Sequence, residues 1–319
     1  MPALSAVRES NSSFSPVYRP TALFVGGTSG VGEATAKAFA KAVKGRAHII
    51  LCGRNKSRAE EIIAELPQTP ESKYEFIQCD VSLIKNVAKA AEEVKIKVDG
   101  KLNYLVTSQG MMTLKGYNPT SEGIDYKLSL HFYSRWKAST HLSGSRGPLA
   151  NREGSQFADE LMPCLEKAAA DGEEARFMSI LHPATGAPLD TDDLGLKKKF
   201  TLSRAAGQSV TYNDLFAEEY AKLHPNVSFI HAFPGFTRTS ISRNLPWYTL
   251  PIKPLVHIMA RPQDESGEYL CFALVTATYK AGGFLVDENG EQQSPKENLA
   301  NEEGRQALLK HYAEAVSIA

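Results

Sequence analysis

Four glycines stand close together near the start of the chain, in the stretch VGGTSGVGEATA at residues 25–36. They follow the apolar run TALFV and precede a segment with small apolar residues at helical spacing. A glycine loop between a strand and a helix lets backbone N–H groups approach a pyrophosphate, which the positive end of the helix also attracts. A glycine-rich turn without a ligand is the alternative. The flanking strand and helix favour dinucleotide binding.

The residues after the second apolar run bear on which dinucleotide binds. HIILCG (48–53) is followed by Arg54 and Asn55, where an Asp or Glu would accept a hydrogen bond from the ribose 2′-hydroxyl of NAD. A guanidinium instead forms paired, charge-assisted hydrogen bonds with a 2′-phosphate. An ordinary surface arginine is the alternative. The position of Arg54 and the missing acid predict NADP(H) in preference to NAD(H).

An alternation of short strands and helices must position these residues. Apolar runs predict strands at 21–27, 48–53, 74–80, 103–110, 175–181 and 226–235, and helical spacing predicts helices at 33–45, 57–66 and 87–98. Such alternation is typical of an α/β fold with a doubly wound parallel sheet in three αβα layers. We expect a single domain over residues 21–319, preceded by an N-terminal extension at 1–20.

Composition excludes several classes of function. Lys plus Arg equals Asp plus Glu at 36 each, so net charge gives no reason to expect nucleic acid or an anionic membrane as a partner. The N-terminus lacks the apolar core of a signal peptide, and no apolar run reaches the roughly 18 residues of a membrane span. Four widely spaced cysteines predict buried free thiols rather than disulfides or a metal site. We therefore expect a cytoplasmic protein.

Two regions depart from the alternating pattern. Residues 137–156 are rich in Ser, Gly and Arg and interrupt what otherwise reads as one helix. This segment is either a flexible insertion or a retained non-coding piece of the gene, and peptide mapping of native protein would distinguish the two. Residues 240–265 contain prolines and aromatic residues and are interpreted either as a substrate lid or as an irregular packed segment.

Further motifs add to the glycine loop: CDVS at 79–82, LVTSQG at 105–110 and PGFTRT at 234–239. With the Gly-x-x-x-Gly-x-Gly spacing of the loop, they resemble the short-chain dehydrogenase/reductase family over about residues 20–240. Val25 replaces the family's threonine, and only the glycine of its NNAG motif is kept. The resemblance implies a Rossmann-type fold and homodimers or homotetramers. It also implies cofactor contacts from Gly26, Thr28, Ser29, Gly30, Val31, Gly32, Arg54, Asn55, Asp80, Val81, Ser108, Gly110, Tyr212, Pro234, Gly235 and Thr239.

The resemblance also implies a catalytic set, which this chain keeps in part. Family members reduce carbonyls with a tyrosine that gives the proton, a serine that binds the carbonyl oxygen, a lysine and an asparagine. Tyr212, expected in the first turn of a helix that begins at TYNDLF, matches the tyrosine, and Phe216 replaces the lysine. His182 falls at the serine, with Ser179 three residues earlier, and His131 falls at the asparagine. Each histidine is either a substitute acid or a buried, hydrogen-bonded side chain.

Three functions are consistent with this pattern. The first is an NADP-dependent oxidoreductase that interconverts an alcohol and a carbonyl on a small to medium organic substrate. The stretches HFYSRW, DDLGLKK and TYNDL are similar to fungal members of the family, some of which act in secondary metabolism, and the long spacing before Tyr212 resembles the retinol-dehydrogenase-like branch. The second is a catalytically inactive NADP(H)-binding sensor or scaffold. The third is a non-redox isomerisation or dehydration.

Overall fold

The computed structural model of the protein describes residues 2–137, 160–239 and 260–318. Within these ranges, seven strands form one sheet, and every neighbouring pair of strands is parallel. In chain order they are β1 (Thr21–Val25), β2 (His48–Gly53), β3 (Lys73–Gln78), β4 (Tyr104–Thr107), β5 (Arg176–Ile180), β6 (Ser228–Ala232) and β7 (Gly282–Val286). Their spatial order is β3-β2-β1-β4-β5-β6-β7. The predicted doubly wound parallel sheet is confirmed.

Helices cover both faces of the sheet. They are α1 (Leu4–Ser13), α2 (Gly30–Ala42), α3 (Lys56–Glu65), α4 (Ile84–Lys97), α5 (Tyr126–Leu128), α6 (Ser134–Lys137), α7 (Met162–Ala170), α8 (Leu202–Leu223), α9 (Gln263–Val275) and α10 (Glu302–Ile318). A π-helical turn at Ser129–Tyr133 joins α5 to α6. One core packs α2, α3 and α9 against the sheet, and the other packs α4, α7, α8 and α10 on the opposite face. These are the expected three layers.

The strands alternate their apolar side chains between the two cores. Leu23 and Val25 of β1 belong to the core beside α8, whereas Ala22 and Phe24 belong to the core beside α2. This alternation follows from the two-residue period of a strand, and burial on both faces explains why the runs read as continuously apolar. The six strands predicted from sequence are all present, and β7 was not predicted.

The N-terminal extension is a helix and not a loose tail. Helix α1 lies against α9, where Val7 is buried and the Asn11 side-chain amide donates to a Glu268 carboxylate oxygen at 2.8 Å. Polar residues such as Asn11 therefore have partners in the folded chain, which a reading of local composition does not reveal.

Three expectations about individual segments need correction or fall outside the described residues. The helix that contains Tyr212 does not start at TYNDLF: α8 begins at Leu202, where the Thr201 side chain accepts a hydrogen bond from the Arg204 backbone N–H at 3.1 Å. Most of the predicted insertion at 137–156 lies outside the described ranges. The same holds for the predicted lid at 240–265, apart from its end, where residues from Gln263 onward belong to α9.

The four cysteines are free and buried, as the sequence predicts. Among the helices described, none is both long and apolar enough to cross a membrane.

Candidate cofactor cleft and active site

A cleft of about 650 Å³ opens at the carboxyl ends of β1 to β4. It lies where the strand order reverses, because β1 pairs with β2 on one side and with β4 on the other. Ligands of doubly wound sheets bind at this point of reversal. The lining residues come from the glycine loop, from the ends of β2 and β3, from the segment after β4 and from Thr239.

The glycine loop leaves room for a ligand close to the backbone. Gly26 has a positive φ of 79°, which favours glycine. A methyl group on Gly32 would lie 2.1 Å from Ser108 Oγ and 2.6 Å from the Gly26 carbonyl oxygen. The loop leads into α2, whose N-cap residue Ser29 makes no side-chain hydrogen bond to the first turn. Within the described part of the chain, the N-terminal N–H groups of α2 therefore have no capping side chain, as a phosphate-binding helix end requires.

Most residues predicted to contact the cofactor line this cleft. Those that do are Gly26, Thr28, Ser29, Gly30, Val31, Arg54, Asp80, Val81, Ser108, Gly110 and Thr239. Gly32 does not line the cleft itself but packs closely beneath the glycine loop, against Ser108 and Gly26. Asn55 instead caps α3, where its side-chain oxygen accepts from the Arg58 N–H at 3.0 Å. Pro234 and Gly235 do not line the cleft, and the Pro234 carbonyl oxygen accepts from Ser266 Oγ at 2.8 Å.

The structure does not bring Tyr212 to the cleft, contrary to its predicted catalytic and cofactor roles. Its side chain is fully buried, its ring packs edge-on against Phe132 with centroids 5.0 Å apart, and its hydroxyl donates to the Leu194 carbonyl oxygen at 2.9 Å. Burial raises the pKa of Tyr212 far above its usual value near 10. Phe216 lies in the same aromatic cluster, 4.8 Å from Phe132. Both residues stabilise the core.

Asn213 and Asp214, the two residues after Tyr212, are those that reach the ends of β5 and β6. Asn213 Oδ1 accepts from the Ser179 hydroxyl at 2.8 Å, and Asn213 Nδ2 donates to the His131 carbonyl oxygen at 2.8 Å. Asp214 Oδ1 lies 2.6 Å from Nδ1 of the fully buried His231. The sequence reading missed both residues, and the neighbouring polar residues Gln208, Ser209 and Thr211 in the same helix leave no clear signal that would single them out.

Arg135 is a second group that the sequence reading missed. Its side chain is fully buried and joins the ends of β4 and β5: Nη2 donates to the Gln109 carbonyl oxygen at 2.5 Å, and Nη1 to the Ile180 carbonyl oxygen at 2.7 Å and to Ser179 Oγ at 3.0 Å. Ser179 is thus held between Arg135 and Asn213 below the cleft. The sequence feature that could have indicated Arg135 is the spacing of basic residues at 127, 131 and 135, which places the three on one face of a helix.

His131 supports the cleft floor and is not placed to relay a proton. Its Nε2 accepts a hydrogen bond from the Met111 N–H at 3.2 Å and would lie 3.4 Å from a methyl group on Gly110. Burial, and then the positive charges of Arg135 and Lys127, lower the pKa of His131 to about 3. The imidazole is therefore neutral near pH 7, and it serves as an acceptor.

His182 lies at the carboxyl end of β5 with its ring partly exposed. The ring stacks on Phe233 at a centroid distance of 3.9 Å, and burial lowers its pKa below the usual value. The turn that follows is strained, because Ala184 has a φ of 61°, and the Ala184 N–H donates to Asp214 Oδ2 at 3.1 Å. Asp214 thus links His231 to the turn that carries His182. His182 is not among the residues that line the cleft.

No metal-binding cluster occurs among the histidine, cysteine and acidic side chains of the described ranges. The candidate site therefore consists of a cleft large enough for a dinucleotide, with the uncapped N-terminus of α2 at its edge. Arg54 lies at the β2 side of this cleft, and the partly exposed His182 lies beyond β4.

Comparisons with known proteins agree with this geometry. The sequence profile of the family described as short chain dehydrogenase matches residues 20–128. Oxidoreductase AN1596 of Emericella nidulans is 34% identical over 296 residues, which cover 90% of this chain and 81% of that protein. Short-chain dehydrogenase/reductase SAT2 of Stachybotrys chartarum is 25% identical over 319 residues, covering 94% and 85%.

A solved structure has the same fold. The NADPH-bound carbonyl reductase from chicken fatty liver superposes with a TM-score of 0.58 at 17% identity, over 87% of this chain and all of the other.

Proposed function

Because the chain belongs to the short-chain dehydrogenase/reductase family, we propose that this oxidoreductase interconverts an alcohol and a carbonyl and uses NADP(H) in preference to NAD(H). The substrate is a small to medium organic molecule, and we propose a role in fungal secondary metabolism, since the relatives AN1596 and SAT2 come from fungi. We further propose that it works in the cytoplasm as a homodimer or homotetramer.

The observation that carries the cofactor preference is Arg54 at the end of β2. Its side chain lines the cleft, and no carboxylate stands at the position where NAD-dependent proteins bind the ribose 2′-hydroxyl. Arg54 Nη1 donates to the hydroxyl of Tyr126, another residue that lines the cleft, at 3.4 Å. A guanidinium in this place favours a 2′-phosphate through paired, charge-assisted hydrogen bonds.

The glycine loop and the N-terminus of α2 would hold the pyrophosphate between the two nucleoside halves. A bound nicotinamide supplies or accepts the hydride. Thr239 and Gly110 line the part of the cleft beyond the loop, on the side of β4. They would shape the pocket for the nicotinamide ring.

For the proton, we propose His182 as the group that polarises the substrate oxygen. A neutral imidazole can donate a hydrogen bond to that oxygen, and a protonated one can transfer the proton. Stacking on Phe233 fixes the plane of the ring, and the Asp214 contact to Ala184 fixes the turn. Ser179 and His131 support the cleft from below in this proposal.

The test begins with nucleotide binding. Purified protein is titrated with NADPH and with NADH, and the nucleotide fluorescence is followed. We expect NADPH to bind more tightly, and Arg54→Met to weaken NADPH binding at least tenfold while leaving NADH binding nearly unchanged. Arg305→Met is the matched control, since Arg305 forms a partly buried ion pair with Glu218 and does not line the cleft. Failure of both nucleotides to bind would overturn the proposal.

A non-catalytic NADP(H)-binding module is the second candidate, because Tyr212 lies in the core and Phe216 occupies the expected lysine position. The two candidates differ in NADPH oxidation with a panel of carbonyl compounds. An enzyme consumes NADPH and loses turnover in His182→Gln without a change in NADPH affinity. A sensor binds NADPH with no turnover in either form.

A further inference from the structure

The cleft has an adenosine end and a nicotinamide end. Arg54 and Asp80, at the ends of β2 and β3, line one side, and Ser108 to Met111 after β4 line the other. If Arg54 takes the 2′-phosphate of the adenosine ribose, the pyrophosphate lies on the glycine loop. The nicotinamide then lies towards Gly110. This assignment rests on the proposed function.

A buried positive charge lies directly behind that nicotinamide end. A methyl group on Gly110 would be 3.9 Å from Arg135 Nη2, and Arg135 is fully buried. Although burial lowers the pKa of Arg135 to about 9, the guanidinium stays charged near pH 7. Its hydrogen-bond partners are the carbonyl oxygens of Thr107, Gln109, Leu130 and Ile180 and the Ser179 hydroxyl.

No carboxylate neutralises this guanidinium: within residues 2–137, 160–239 and 260–318, none forms an ion pair with it. The other buried cations nearby are compensated. Lys127 Nζ lies 4.0 Å from the buried Asp125 carboxylate, and Lys137 Nζ lies 3.7 Å from Glu160. Arg135 therefore contributes a net positive charge to the low-dielectric floor of the cleft, where screening by salt is weak.

His131 lies close to this charge. Its Nε2 accepts from the Met111 N–H at 3.2 Å, and a methyl group on Gly110 would lie 3.4 Å from that nitrogen and 3.9 Å from Arg135 Nη2. The charge of Arg135 is the second cause, after burial, of the lowered pKa of His131. A positive potential that opposes an imidazolium opposes any cation at the same place. The oxidised nicotinamide ring is a cation, whereas the reduced ring is neutral.

We propose that Arg135 makes the cleft distinguish the two redox states of the cofactor, so that the protein holds NADPH more tightly than NADP⁺. Arg54 cannot produce this difference, because the phosphates it faces carry the same charge in both states. The structure thus separates two kinds of selectivity: Arg54 selects the 2′-phosphate, and Arg135 selects the redox state.

The expected size follows from Coulomb's law. A tenfold ratio of dissociation constants corresponds to about 1.4 kcal/mol. Two unit charges reach that energy at separations up to about 12 Å when the effective dielectric constant is about 20. A charge behind the cleft floor is therefore close enough for a roughly tenfold preference.

The experiment measures binding without turnover. Isothermal titration of the full chain with NADPH and with NADP⁺, at pH 7 and one ionic strength, gives the ratio of the two dissociation constants. We expect a wild-type ratio of roughly ten in favour of NADPH and a ratio near one for Arg135→Met. Arg135→Lys keeps the charge, so its ratio should lie between that of Arg135→Met and that of wild type or equal the wild-type value. Arg54→Met is the matched control, since it should weaken both nucleotides by the same factor.

Several results would overturn the proposal. One is equal wild-type affinity for NADPH and NADP⁺, which needs no variant and holds whether or not Arg135→Met folds. Another is an unchanged ratio in folded Arg135→Met, or in Arg135→Gln, which keeps side-chain N–H donors without the charge. If wild type binds neither nucleotide, the proposed function itself fails. If both bind with equal affinity, the proposed function stands and this inference alone is wrong.

Discussion

The hydroxyl of Tyr212 donates a hydrogen bond to the Leu194 carbonyl oxygen at 2.9 Å, inside the core and away from the cleft. The same helix turns Asn213 and Asp214 towards the sheet, where they contact Ser179 and His231. Because successive helical residues are rotated by about 100°, a residue and its neighbour face different surroundings. The side chain that matches a family motif is therefore not the one that faces the strand ends.

Tyr212→Phe tests this placement. The variant loses one buried hydrogen bond, so we expect a loss of about 1–2 kcal/mol in the free energy of unfolding, measured in urea. NADPH affinity and any carbonyl reduction should stay within about twofold of wild type, because the hydroxyl is fully buried and donates to the Leu194 carbonyl oxygen. Abolished turnover with intact NADPH binding would show instead that the role implied by family resemblance is correct.

Gly32→Ala tests the packing beneath the glycine loop. The added methyl group would lie 2.1 Å from Ser108 Oγ and 2.6 Å from the Gly26 carbonyl oxygen, and the backbone cannot move aside cheaply. We expect a loss of about 1–3 kcal/mol in stability and weaker binding of both NADPH and NADH. Gly116→Ala is the control, since an added methyl group there has no neighbour within 4 Å among the described residues. Equal behaviour of the two variants would contradict the geometry.

Asp214→Ala tests the buried contact between α8 and β6. The change leaves His231 Nδ1 and the Ala184 N–H without their carboxylate partner, so we expect unfolding to become easier by about 3–5 kcal/mol. Glu61→Ala, which removes an exposed partner of Arg58, should change stability by less than about 1 kcal/mol. Chemical denaturation of both variants at pH 7 makes the comparison. Similar small losses would mean that the Asp214 pair adds little to the fold.

His131 should make the protein sensitive to mild acid. Its pKa is about 3 in the folded state, because of burial and then the charges of Arg135 and Lys127, and about 6.5 when unfolded. Between these values the unfolded state binds a proton that the folded state does not, so stability falls as pH drops below 6.5. From pH 7 to pH 5 this histidine should account for a loss of about 2 kcal/mol.

Urea unfolding of wild type and His131→Gln at pH 7 and at pH 5 measures this contribution. Other groups titrate equally in both proteins, so the pH dependence of the variant should be smaller by about 2 kcal/mol. An identical pH dependence would show that His131 is accessible to protons in the folded state.

The order of elements, the parallel sheet and the glycine loop could be predicted from the sequence because each depends on local pattern. An apolar run followed by glycines and then by small residues at helical spacing specifies a strand, a turn and a helix without distant information. Arg54 was predictable for the same reason, since it directly follows β2. The start of α8 was misplaced, because the capping residue Thr201 lies ten residues before TYNDLF, beyond the motif.

The roles of single side chains around the cleft depended on tertiary structure. A motif match cannot reveal which way Tyr212 points, because the helix rotation is set by packing of Phe132, Phe216 and the aromatic rings around them. Nor can it reveal that Arg135 lies behind Gly110 with no carboxylate partner among the described residues, because its partners are backbone carbonyl oxygens from strand ends far apart in the chain. The sequence by itself determined the fold and the place of the glycine loop, since both follow from local periodicity and turn chemistry. Tertiary structure decided which charges and hydroxyls surround that place, because burial and electrostatic potential arise only when distant segments pack together.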